Sequence, residues 1–74
     1  MQQITKLKLA AIHQLCDVED KSTEYMLQLM QDICKVDLDT CLNYMKLDNK
    51  EHVKLFRELD ELTEIIIKIE ENVL

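Results

Sequence analysis

Seventy-four residues make one domain at most, at a size where a compact fold has barely enough core to hold itself together. Nine basic side chains against fifteen acidic ones leave a net charge of −6, which repels phosphate backbones and anionic membrane surfaces and argues against nucleic acid and lipid as ligands. Glycine and proline are both absent; without the residues that tight turns, phosphate-cradling loops and sheet corners require, a composition rich in Leu, Ile, Met, Lys and Glu points to an all-α fold.

The first segment, Gln2 to Cys16, places Ile4, Leu7, Ala11, Leu15 and Val18 on one stripe, with Leu9, Ile12 and Cys16 beside it. This spacing predicts an amphipathic helix over about residues 2–17. Asp17, Glu19, Asp20 and Lys21 interrupt the pattern, and Ser22 or Thr23 is placed to cap a new first turn with Glu24 inside it. Over Thr23 to Lys46 two adjacent stripes run side by side. One holds Met26, Leu29, Ile33 and Val36; the other holds Leu27, Met30, Cys34, Leu38, Cys41 and Met45. Opposite them, Gln28, Asp32, Lys35, Asp39, Asn43 and Lys46 form a solvent side that stays in phase throughout. That continuity favours one helix over a break near Asp37, Leu38 and Asp39. So broad an apolar arc suits a helix touching two neighbours.

Asp48, Asn49, Lys50 and Glu51 form a capping-box pattern, in which Asp48 accepts from the amide three residues on and Glu51 reaches back. The third helix is expected over about 49–73, with Leu55, Leu59, Leu62, Ile66, Ile69 and Val73 in a heptad seam. A connection of about three residues makes Thr23 to Lys46 and Lys50 to Val73 an antiparallel hairpin roughly 35 Å long at 1.5 Å per residue. The expected architecture for residues 1–74 is therefore a single all-α domain, an antiparallel helical hairpin plus an N-terminal helix in a small three-helix bundle.

No residue pattern singles out a catalytic site. His13 and Cys16 lie one turn apart, but Cys34 and Cys41 are a full heptad apart rather than a close pair, so the three thiols read as small core residues and no metal is expected. His13 lacks the cationic neighbours a phosphoacceptor needs, and His52 reads the same way. Ser22 is a cap rather than a nucleophile. Glu58, Glu61 and Glu64, with Asp60, Glu70 and Glu71, flank the seam as solvated charges. Residues 37–74 carry ten acidic and five basic side chains, against five and four before them. A basic partner surface would therefore be steered to the second half. Three cysteines are too few and too unevenly spaced for a disulfide-stapled module. Met1 to Val18 lacks the apolar core of a signal peptide, and the longest uninterrupted apolar run, Leu9 to Ile12, is far short of a membrane span. These features together predict a cytoplasmic location.

The third helix, with Phe56 before Arg57 and Glu58 and then Leu62, Ile65, Ile66, Ile67 and Ile69, resembles the last helix of small co-chaperones for type III secretion needle subunits. That resemblance implies a cytoplasmic helical hairpin that pairs with a larger helical-repeat chaperone to hold an aggregation-prone subunit before export. The run Phe56, Arg57, Glu58, Leu59, Asp60 is also similar to the motif helix of small aspartyl-phosphate phosphatases of sporulation control, but the Ser and Gln of that motif are replaced.

The sequence thus predicts a non-enzymatic helical interaction protein, a chaperone or adaptor that binds another helical protein or itself without cofactor or small-molecule substrate. Leu55, Phe56, Leu59, Leu62, Ile66 and Ile69 are the candidate partner-binding residues, joined by Met26 and Met30 because Met re-packs readily around a partner helix. The rival from another class is a small phosphoryl-handling regulator using His13 or the Glu58 and Asp60 pair. A third reading is a self-associating coiled-coil protein.

Overall fold

The computed structural model describes residues 1–61 and 70–72. Among them there is no strand, and the chain is all-α. Four helices follow one another: α1 (Gln3–Val18), α2 (Thr23–Cys34), α3 (Leu38–Met45) and α4 (Asn49–Glu61); residues 70–72 are helical as well. No helix among the described residues is long and apolar enough to cross a membrane.

Helix α1 ends without glycine because Asp20 adopts the left-handed conformation (φ 55°). Its own N–H donates to Asp17 O at 3.2 Å, and that of Lys21 donates to Cys16 O at 2.9 Å. This pair of bonds satisfies carbonyls that the last turn leaves free. Aspartate is among the few residues whose short polar side chain makes this geometry tolerable. Two residues later Ser22 caps α2, its hydroxyl accepting from Tyr25 N–H at 3.1 Å. Asp48 caps α4 likewise, accepting from Glu51 N–H at 2.9 Å. The returning bond expected from Glu51 is not formed among the described residues.

The expected single helix over residues 23–46 is two. Lys35 takes a left-handed conformation (φ 57°, ψ 42°) that stops α2, and Asp37 starts α3 by accepting both Thr40 N–H at 2.9 Å and the Thr40 hydroxyl at 2.6 Å. Gln28, Asp32, Lys35, Asp39, Asn43 and Lys46 are all exposed, as a continuous helix requires. The break nonetheless falls inside that pattern. A doubly engaged cap outweighs two or three interior helix bonds when the redirected segment can bury Cys41 and Tyr44.

Among the described residues the hairpin expected between residues 23–46 and 49–73 gives way to another pairing. Helix α4 lies chiefly on α1, antiparallel to it, with Gln3 Nε2 donating to Glu58 Oε2 at 3.0 Å near one end. Helices α2 and α3 pack on other sides of α1. The N-terminal helix is thus the centre of the molecule. Leu7, Leu9, Ala10, Ala11, Ile12 and Cys16 are all buried, and the run Leu9 to Ile12 is buried right round the helix. Only a helix with neighbours on several sides places four consecutive apolar residues inside. The two alanines let those neighbours approach closely. Met26, Met30, Cys41, Tyr44, Leu55 and Leu59 complete the core. The result measures 27 × 26 × 22 Å, shorter than the roughly 35 Å rod the sequence suggested.

Candidate functional site

The candidate partner-binding residues fall into two groups. Leu55 and Leu59 are buried beneath α1, Met26 and Met30 are buried in the same core, and Phe56 is half-buried. The apolar surface of the two leucines and two methionines is covered within the chain, so these four build the fold here. Leu62, Ile66 and Ile69 lie outside the described residues, as do Ile65, Ile67 and Val73.

Among the described residues, two exposed leucines fall one turn apart on α3. Its inner side carries Cys41 and Tyr44, both buried, whereas Leu38 is 45% and Leu42 38% exposed, one turn apart, with Met45 half-buried beside them. These positions recur at i, i+4 and i+7, one stripe of a helix. Asp39 and Lys46 flank the stripe on its solvent side.

Behind α3 three helices meet in a cluster of aromatic rings. Helix α1 contributes His13, α3 Tyr44, and α4 both His52 and Phe56. The rings of His13 and His52 are 5.4 Å apart edge to face, those of Tyr44 and His52 4.8 Å apart, and those of His13 and Phe56 5.5 Å apart. Such tilted and edge-on arrangements bring the positive rim of one ring to the negative face of another. The Tyr44 hydroxyl lies 2.9 Å from His13 Nδ1, and His13 Nε2 faces the Asp17 carboxylate at 3.9 Å. The carboxylate favours the proton on Nε2, which leaves Nδ1 to accept from the tyrosine.

Burial holds the His13 pKa below its usual value, assisted by His52 and opposed by Asp17. Burial likewise pushes the Tyr44 phenol upward, as does Asp17. Both rings are therefore neutral near pH 7, and the cluster works as a hydrogen-bonded packing joint. His52 Nδ1 is buried without a hydrogen-bond partner among the described residues. A buried nitrogen of that kind carries an unrecovered desolvation cost.

The residues of the phosphoryl-handling rival are placed differently from one another. His13 has Nδ1 engaged by Tyr44, Glu58 accepts from Gln3, and Asp60 is exposed. They form no common site. The thiols are free; Cys16 and Cys41 are buried and Cys34 is half-buried. Burial raises all three pKa values, that of Cys34 to about 11, so each remains a protonated thiol at neutral pH. Among the described residues no group of three His, Cys, Asp or Glu side chains is disposed to hold a metal ion.

Sequence reasoning reached His13, His52 and Tyr44 only one at a time. Their meeting depends on α1 lying against α3 and α4, which no local spacing encodes. No family model matches the chain, and neither a curated protein nor a solved structure matches it.

Proposed function

We propose that this chain is a non-enzymatic interaction protein of the cytoplasm, a chaperone or adaptor that binds another helical protein on the outward face of α3. The observation that carries the reading is the exposed pair Leu38 and Leu42 on a helix whose other side is anchored in the core. A helix held in this way offers a rigid apolar stripe, and an amphipathic partner helix sets its own i, i+3 and i+4 anchors on such a stripe. Full burial of a leucine contributes about 1.5–3 kcal/mol, so two half-exposed leucines and Met45 supply a modest centre that the partner's flanks must extend. A needle-subunit co-chaperone is a narrower form of the same role. It rests on the resemblance of residues 50–73, part of which lies outside the described residues.

A photo-reactive amino acid at Leu42 tests the reading in living cells. One predominant cross-link is expected, to a helical segment of another protein, and it should vanish when Leu38→Asp is added. Cross-links spread over many proteins, or one that survives Leu38→Asp, would contradict binding through this face.

A further inference from the structure

The end of the molecule where α1 stops and α4 begins carries an exposed acidic patch, and an exposed basic patch starts there and runs two turns along α4. The antiparallel packing of α1 and α4, fixed by the Gln3 to Glu58 bond at one end and the His13 and His52 rings toward the other, puts residues 17–20 at the same end as the first turns of α4. At the corner after α1, Val18 is 78% exposed among Asp17, Glu19 and Asp20, all exposed. On α4, Val53 is 47% exposed, and with Asn49, Lys50, Lys54 and Arg57 it lines a shallow outward groove. Lys50, Val53, Lys54 and Arg57 follow the i, i+3, i+4, i+7 spacing of one helix face.

The α4 patch is thus a valine among three cations and the corner a valine among three carboxylates with the exposed Lys21 beside them, so the two have opposite signs. Among the described residues Lys50, Lys54 and Arg57 form no ion pair, although Glu58 and Glu61 stand within a turn of them, and Glu19 and Asp20 form none either; Asp17 only approaches His13 at 3.9 Å. In a chain of net charge −6, three unpaired cations gathered on one helix face are notable.

We propose that two copies of this chain bind through these patches, the acidic corner of each seated in the α4 groove of the other. A two-fold axis lets one rotation satisfy both contacts between complementary patches that adjoin on one molecule, and so closes the assembly. The acidic excess at the corner and the basic excess along the α4 groove, each around a valine, favour a second copy as the occupant, since the chain itself supplies the complement. Exposed ion pairs are individually weak and screened by salt, and two such patches are small beside the roughly 800 Å² per partner of a standard interface. The dimer is therefore weak and dissociates in salt. Its face differs from the outward side of α3, so the inference stands or falls independently of that role.

Sedimentation equilibrium of the full chain tests it. At about 10 mM salt, where screening is slight, the mass should climb from 8.8 kDa toward twice that value as the protein approaches about 1 mM, and fall back at about 1 M salt. Lys54→Glu with Arg57→Glu should remain monomeric, and so should Glu19→Lys. Mixing these two variants should restore a heterodimer, because each then supplies the charge the other lost. A mass of one chain throughout the low-salt range overturns the inference. So does a dimer unaffected by either reversal, a mixture that stays monomeric, or a dimer abolished by Leu42→Asp, which would place the contact on α3.

Discussion

Helices α1 and α3 are built from similar proportions of apolar side chain but use it in opposite ways. In α1 the run Leu9 to Ile12 is buried on every side, so the middle of the helix has no face left to offer. In α3 only Cys41 and Tyr44 are buried, and Leu38 and Leu42 remain half in water. One helix is consumed by the fold, and the other is held by it with a stripe to spare. The contrast locates the candidate binding surface: it lies on the element the core grips from one side, not on the one with the longest apolar pattern.

The sharpest way to break this contrast is to truncate one residue of each kind. Ile12→Ala should destabilise the protein by about 2–5 kcal/mol, the usual range for emptying a filled core position, whereas Leu38→Ala should change stability by less than about 0.5 kcal/mol. Urea denaturation reads both, and equal losses would mean that α3 is as enclosed as α1.

A smaller effect is expected where the two helices join. Tyr44→Phe removes the hydroxyl from His13 Nδ1 while keeping the ring, and should cost about 1–2 kcal/mol, a hydrogen bond lost with its acceptor left partly buried. A neutral outcome would mean that water replaces the hydroxyl freely and that the joint is looser than its ring distances imply.

The same joint sets a pH dependence. The His13 pKa is held below its ordinary 6.5 by burial, so the unfolded chain binds the proton more readily than the folded one. The stabilisation is complete above about pH 6.5 and is lost as the pH falls from there through the folded value. Thermal melts from pH 8 to 5 should show this decline, and His13→Gln should flatten it in that interval.

The smallest effect concerns the backbone. Lys35 and Asp20 both sit at positive φ, where a side chain costs about 1–2 kcal/mol and glycine adapts freely, at some cost in unfolded-chain entropy. Lys35→Gly should therefore stabilise by a few tenths to about 1 kcal/mol. Asp20→Gly should gain less, because aspartate tolerates this region better.

Local chemistry made much of the fold readable from the sequence. The absence of glycine and proline announced helices, and Ser22 and Asp48 marked two helix starts with caps that form as expected. The break at Lys35 was harder to read, because a three-residue interruption left the exposed positions in phase and the left-handed turn fell on a lysine. Its one local sign was Asp37 three residues before Thr40, a cap pattern that the continuous stripe outweighed. The central place of α1 also had a signal in Leu9 to Ile12. Four consecutive apolar residues are too few for a membrane but too many for a helix with a single buried face. The candidate surface was less legible still. Leu38 shares a stripe with Met30, Cys34 and Cys41 in sequence, and only the redirection of the chain at residues 35–37 turns it outward.

The arrangement around α1 is tested most directly by nuclear Overhauser contacts of the His13 ring in the free protein. Protons of Tyr44, His52 and Phe56 should all show contacts to it, as the centroid separations of 5.7, 5.4 and 5.5 Å require, together with contacts between the start of α1 and Glu58. Phe56, Leu55 and Leu59 contacting residues 23–46 instead, with His13 free of all three rings, would restore the simple hairpin and contradict the central role of α1.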